Sequence, residues 1–274
     1  MAHLIPADEN TRVGITNSGG GIGDKLQFTS IPENYYYNTG KKLIDLMNQW
    51  CYDHNPFVER GNNTVDFAVD LYANDIFFKG PQGQPIKGQL KFEDKDFYVS
   101  QPERFKQIFG IENIYLRHPR LYKYEEMQGS RLGLVTVHTT GKSEGGTIPE
   151  KVIERIQKNY IGYTIYQVGG ENDAPTPFID KRGLDMWQTA ELIASSQIFI
   201  GVNSGMMNLA QCYPRVNRKL IIIENERIET KDFDYYRPLC YYKEGVNSPW
   251  VDYNWQYYNI HEQDLGITFS YNKI

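Results

Sequence analysis

The chain has 274 residues, a formal net charge of −5, 40% hydrophobic and 23% charged residues, and three cysteines. That is ample apolar material for one or two cored domains, and it excludes a disordered or fibrous class. The acidic balance argues against a protein that holds nucleic acid mainly through a basic surface.

Cys51, Cys212 and Cys240 are widely spaced and odd in number. This suits free thiols in a reducing cytoplasm better than a disulfide framework, and the spacing is not that of a metal site. Residues 1–10 carry neither a basic nor an apolar region, and no apolar run approaches the ~18 residues a membrane span needs. The expectation is a cytoplasmic protein with no transmembrane segment. The 21 tyrosines cluster at Tyr35-Tyr36-Tyr37 and from Tyr235 to Tyr258; such clusters stack on sugars or bases, and more commonly pack half-buried.

In chain order, Arg12-Val-Gly-Ile-Thr16 predicts a first strand, and it feeds the loop Asn17-Ser-Gly-Gly-Gly-Ile-Gly-Asp24. Its glycines let backbone approach a phosphate or a reacting group closely. One reading is a dinucleotide fingerprint, with Gly19 and Gly21 in place and Asp45 where a ribose-binding acid falls. Against it, Asp24 holds the third glycine position and Pro32 is expected to break the helix that should follow. A structural role for Asp24 is to cap a short helix over about residues 24–30.

Residues 42–47 and 63–71 predict strands, the second alternating Val65, Phe67, Val69 and Leu71 against polar or small neighbours. Between them, Asp53 and His54 sit in a turn-rich loop that is either exposed or lines a cleft, which on the resemblance described below would be the acceptor's. Residues 80–85 form a turn cluster, and residues 102–109 a short helix ended by Gly110. A hinge is expected within residues 119–130, dividing one α/β domain at 1–125 from a second, with its tail, at 131–274; the resemblance described below makes the first the acceptor side and the second the nucleotide-sugar-binding domain.

Leu132 to His138 is a buried-strand pattern, and Thr147-Ile-Pro-Glu150 a capping-box sequence that opens a helix. A strand at 163–168 follows, then an Asp185 cap and a helix through Ala194. Gln197 to Val202 then runs into Asn203-Ser204-Gly205 as strand, tight turn and helix, with Asn203 and Ser204 as candidate caps. A last strand at 219–224 precedes a tyrosine-rich tail without periodicity. Alternation of strand and helix in both halves predicts an α/β protein of two Rossmann-like units facing a cleft.

Three of these segments carry a resemblance. Leu184 to Gln211, the Gly23-Asp24 loop with Pro32 beyond it, and His138-Thr139-Thr140 with Lys142 downstream resemble the heptosyltransferase-like (family 9) glycosyltransferases. That family's motifs are an Asp-Thr-Gly-x-x-His turn, a Gly-Asp opening followed by Pro, and a strand leading into His-x-Thr-Thr. The resemblance implies a B-type two-domain glycosyltransferase fold, with a reduced N-terminal unit at this chain length. It implies transfer of a sugar from a nucleotide-diphosphate donor to a hydroxyl, with inversion, without a metal and with no cofactor beyond that co-substrate.

Carried over residue by residue, Asp24 is the general base for the acceptor hydroxyl. Gly21, Gly23, Thr139, Thr140, Lys142, Asn203, Ser204, Gly205 and Met206 are donor-binding. The chain departs from the pattern at Asn203 and Asn208, which replace the family's acid and imidazole. The implied acceptor is a surface glycan or another hydroxylated biopolymer, a hydroxylated base in phage DNA being an alternative. Two other function classes stay open: a nucleotide-sugar-binding protein without transfer chemistry, and an NAD-dependent oxidoreductase.

Overall fold

A computed structural model describes residues 11–17, 19–61, 64–71, 75–79, 85–89, 109, 113, 115–116, 119–141, 147–148, 150–202, 204–213, 219–224 and 255–259. The chain divides into two compact units, Met1–Tyr122 and Lys123–Ile274. Each is built on its own sheet. Among the described residues, no helix is long and apolar enough to cross a membrane.

The first unit holds strands β1 (Val13–Thr16), β2 (Leu43–Asp45), β3 (Val58–Arg60), β4 (Phe67–Asp70), β5 (Asp75–Lys79) and β6 (Pro85–Gln89), in the sheet order β3-β2-β1-β4-β5-β6. The first four run parallel, and β5 and β6 add antiparallel to the edge beyond β4. Val13, Ile15, Leu43, Ile44 and Val69 are buried, as a sheet flanked by helices requires. β5 and β6 pair as a hairpin, and residues 80–84 of the expected turn cluster lie outside the described residues.

After β1 the chain forms α1 (Ile22–Gln27), a single 3₁₀ turn (Phe28–Ser30) and α2 (Ile31–Thr39). Here the structure corrects two expectations. The first helix spans 22–27 rather than 24–30, and Pro32 opens a second helix instead of ending the first. Proline lacks only an N–H that the first turn leaves unused, so it starts helices well. Gly40, at φ 71°, closes α2 by donating to Tyr36 O at 2.7 Å.

Helix α2 anchors the returning chain through buried polar groups. The Asn34 amide donates to Ser30 O and Leu116 O and accepts from the Tyr115 and Leu116 N–H groups, so its hydrogen-bonding capacity is used. Glu33 takes Arg120 Nη1 on both carboxylate oxygens, at 3.0 and 3.1 Å, and the Tyr122 hydroxyl at 2.6 Å. Cys51 is buried, and burial first, then the Asp45 carboxylate, pushes its thiol up to about 12.

The second unit has strands β7 (Arg131–His138), β8 (Thr164–Gly169), β9 (Ile179–Arg182), β10 (Ser196–Val202), β11 (Lys219–Glu224) and β12 (Trp255–Asn259). All are parallel, in the order β12-β11-β10-β7-β8-β9. Central β7 and β10 contribute Val135, Val137, Ile198, Ile200 and Val202 to one core. Val152 and Ile156 of α3 (Glu150–Asn159) close it from one face, together with Ile148 and Phe178. Helix α4 (Met186–Ser195) opens on the expected capping box: Asp185 accepts the Trp187 and Gln188 N–H groups at 2.8 Å, and Gln188 Oε1 takes the Asp185 N–H at 3.2 Å. It passes without a loop into β10, and α5 (Gly205–Gln211) follows beyond the next turn.

Candidate functional site

The strand order of the second sheet reverses between β7 and β10: β8 and β9 lie on one side, β11 and β12 on the other. In open parallel sheets, ligands bind outside the carboxyl ends of the strands at such a switch point. His138, Thr139 and Thr140 leave the carboxyl end of β7, and Ser204, Gly205 and Met206 follow that of β10. Two of the three motif segments are therefore brought to one place.

A polar line joins them. Ser204 Oγ lies 3.0 Å from His138 Nδ1, and His138 Nε2 lies 3.5 Å from Asp173 Oδ2. Ser204 occupies the cap position of α5 but makes no side-chain cap bond, so the expected capping role gives way to the imidazole. The φ of Gly169 is +139°, and a Cβ there would overlap Asp173 Oδ2 and come within 2.8 Å of His138 Cδ2. Only glycine leaves room for that pair.

The two threonines differ. Thr139 is 1% exposed, and its hydroxyl accepts from Gln167 Nε2 at 3.1 Å. Gln167 is braced in turn by Ala174 O and by the N–H and hydroxyl of Thr176. Thr140 is half-buried, and its backbone bridges Thr147. Thr140 is therefore the more open donor, and Thr139 the one held by the buried network. Lys142 and Asn203 lie outside the described residues. Asn208 is buried, and its amide reaches back 3.5 Å to Ser204 O within α5.

In the first unit, the glycine-rich loop enters α1 with Gly21 at the cap position and Gly23 inside the helix. Asp24, half-buried in the first turn, accepts the Gly21 N–H on Oδ2 at 2.6 Å. It thus makes a capping contact from within the helix. Just before the loop, Asn17 is 2% exposed, and among the described residues both polar atoms of its side chain lack a partner. Leaving such a group unmet costs about 1–3 kcal/mol, and an ordered water or a ligand at the head of the loop would satisfy it.

Asp45, the candidate ribose-binding acid, is fully buried. It accepts the Met47 N–H at 3.0 Å and the Gln49 N–H at 2.6 Å, with Arg60 at 3.8 Å. That carboxylate holds its own loop. Of the acceptor-loop candidates, Asp53 pairs with Arg60, and both Asp53 and His54 are exposed.

The sequence alone gives Gln167, Gly169 and Asp173 no role in the site, and it offers His138 as part of a motif and, after Asp24, as an alternative base with His54. The local trace of the first three is Gln167-Val-Gly-Gly-Glu-Asn-Asp173, where a strand ends in paired glycines with an acid close behind. Among the described residues, no group of three or more His, Cys, Asp or Glu is placed to hold a metal ion. The chain does contain two Asp-x-Asp tripeptides, Asp94-Lys-Asp96 and Asp232-Phe-Asp234, both outside the described residues.

No family model matches the chain, and no curated protein does. Solved structures do. The iron-containing dodecameric glycosyltransferase TibC of enterotoxigenic E. coli superposes with a TM-score of 0.55 at 16% identity, over 78% of this chain and 58% of that one. TibC in complex with ADP-D-beta-D-heptose gives 0.56 at 18% identity, again over 78% and 58%. A family 9 glycosyltransferase of Veillonella parvula gives 0.61 at 11% identity, over 81% and 82%. E. coli ADP-heptose lipopolysaccharide heptosyltransferase II gives 0.53 at 10% identity, over 78% and 85%. The chain thus spans 58% of the length of TibC. Its fold is that of the heptosyltransferase-like glycosyltransferases, α/β with sheets that are parallel except at the β5–β6 edge and with a reduced N-terminal unit.

Proposed function

We propose that this chain is a glycosyltransferase moving a sugar from a nucleotide-diphosphate donor to a hydroxyl acceptor, with inversion and without a metal, in the cytoplasm. The observation that carries the reading is the convergence of His138-Thr139-Thr140 and Ser204-Gly205-Met206 at the switch point of the second sheet. A shared fold supplies only the prior, because one fold hosts many chemistries. The proposal rests on the donors that converge there.

In this reading the Thr140 and Ser204 hydroxyls and the backbone N–H groups of residues 205 and 206 meet the diphosphate, with Lys142 and Asn203 completing the set. Thr139, locked to Gln167, fixes the path of the chain beneath them. The acceptor oxygen forms its bond to the anomeric carbon as the bond from that carbon to the phosphate oxygen breaks. The electron pair leaves with the nucleoside diphosphate, and the acceptor proton passes to the Asp24 carboxylate. The acceptor we infer is a surface glycan or another hydroxylated biopolymer.

A second reading, nucleotide-sugar binding without transfer, is favoured by one feature. Asn208, at the family's imidazole position, is folded back onto its own helix. Incubating pure protein with nucleotide sugars and simple glycan acceptors separates the two. Our reading expects turnover that survives a chelator. Donor binding with no transfer or hydrolysis supports the second reading, and activity abolished by chelation and restored by manganese contradicts the metal-free chemistry.

A further inference from the structure

The line from half-buried Ser204 to buried His138 and Asp173 is built into the fold, yet transfer chemistry gives a role to Ser204 alone. His138 is 5% and Asp173 6% exposed. Asp173 Oδ2 also accepts the Gly170 N–H at 2.8 Å, and Arg182, itself paired with Asp180, donates to the Asp173 carbonyl. Among the described residues, the charged group facing His138 is thus Asp173, from the loop after β8, with Arg182 of β9 behind it. Ser204 faces the ring from the turn after β10.

A neutral imidazole donates from one nitrogen and accepts at the other. With a carboxylate 3.5 Å from Nε2, the ring proton belongs there, which leaves Nδ1 to accept the Ser204 O–H. The single proton of that hydroxyl then points at the ring and away from any anion. For Ser204 to donate to a phosphate oxygen, Nδ1 must become a donor while Nε2 keeps its proton against Asp173. That state is the imidazolium.

We propose that a diphosphate bound at Ser204 draws one proton from solvent onto His138 Nδ1, with Asp173 as the positioning carboxylate. Nδ1–H then donates to Ser204 Oγ, and the hydroxyl turns its own proton to the phosphate. A positive charge is thereby set behind the hydroxyl, which makes this a charge-assisted contact. The proposal rests on reading the switch point as the donor site.

Titration calorimetry tests it, using the tightest binder among ADP-heptose, UDP-glucose and GDP-mannose. The phosphodiesters of these donors do not titrate near neutrality. The titrations are run at pH 8 in two buffers of different ionisation heat. Wild-type protein is expected to take up as much as one proton per donor bound, and His138→Gln none, with affinity about ten- to a hundred-fold weaker. Should His138→Gln not fold, imidazole ¹⁵N shifts of His138 in wild-type protein give the same answer: one unprotonated nitrogen in the free protein, two protonated nitrogens in the complex. Buffer-independent heats for wild type, or an unprotonated His138 nitrogen persisting in the complex, would overturn the proposal. Binding of none of these donors would instead overturn the donor reading, and this inference with it.

Discussion

Replacing Gly169 with alanine is expected to destabilise the second unit by about 2–4 kcal/mol in urea or thermal unfolding. The Gly169 φ of +139° is a conformation that an L side chain adopts only under strain, which costs on the order of 1–3 kcal/mol. The added Cβ would also overlap Asp173 Oδ2 and press on the His138 ring, and crowding of a packed site costs typically about 1–3 kcal/mol. The two costs share a cause and are not simply additive. Gly162 is the control. It too has a positive φ, +86°, but a Cβ there meets nothing within 4 Å, so Gly162→Ala should cost only its conformational strain, about 1–2 kcal/mol. Equal stabilities for the two variants would mean that the space beside His138 and Asp173 is not specified by glycine.

Asp24→Asn is expected to lower the transfer rate by roughly 10²- to 10⁴-fold, about 2.7–5.5 kcal/mol of barrier, at an unchanged melting temperature. The contact with the Gly21 N–H at 2.6 Å needs only a carbonyl-type oxygen, and asparagine keeps one. The capping function therefore survives the substitution, while proton-accepting power is lost. Rate at constant stability separates the two roles of this side chain. A variant with wild-type melting temperature and near wild-type turnover would leave Asp24 as a cap and remove it as the base.

Much of the fold is legible because several strands carry runs of β-branched and other apolar residues. Lys-Leu-Ile-Ile-Ile-Glu alone marks residues 219–224 as a strand, and one acid and one glutamine three residues apart mark the Asp185 box. Pro32 misled because its helix-breaking effect depends on position: inside a helix it removes a hydrogen bond, but at the first turn it removes nothing. The hairpin of β5 and β6 was read only as a turn. Of the candidate site, the chain segments were legible and their partners were not. Gln167 and Asp173 matter through contacts with Thr139 and His138 that lie 28 and about 35 residues away in sequence, distances no local pattern spans. Asp45 shows the converse: its position relative to the glycine loop suits a ribose acid, and only its burial and two backbone N–H partners show that it serves its own loop.

Thermal unfolding of the wild-type and Gly205→Val proteins against a panel of nucleotide-diphosphate sugars tests whether the carboxyl edge between β7 and β10 binds such a donor. At least one donor, at 100-fold its dissociation constant, is expected to stabilise the wild type by about 2.7 kcal/mol. The folded Gly205→Val protein should lose most of that gain, because a β-branched side chain next to Ser204 blocks backbone approach to the diphosphate. Wild-type protein that no nucleotide-diphosphate sugar stabilises, or a Gly205→Val protein stabilised as much as wild type, would contradict donor binding at that edge.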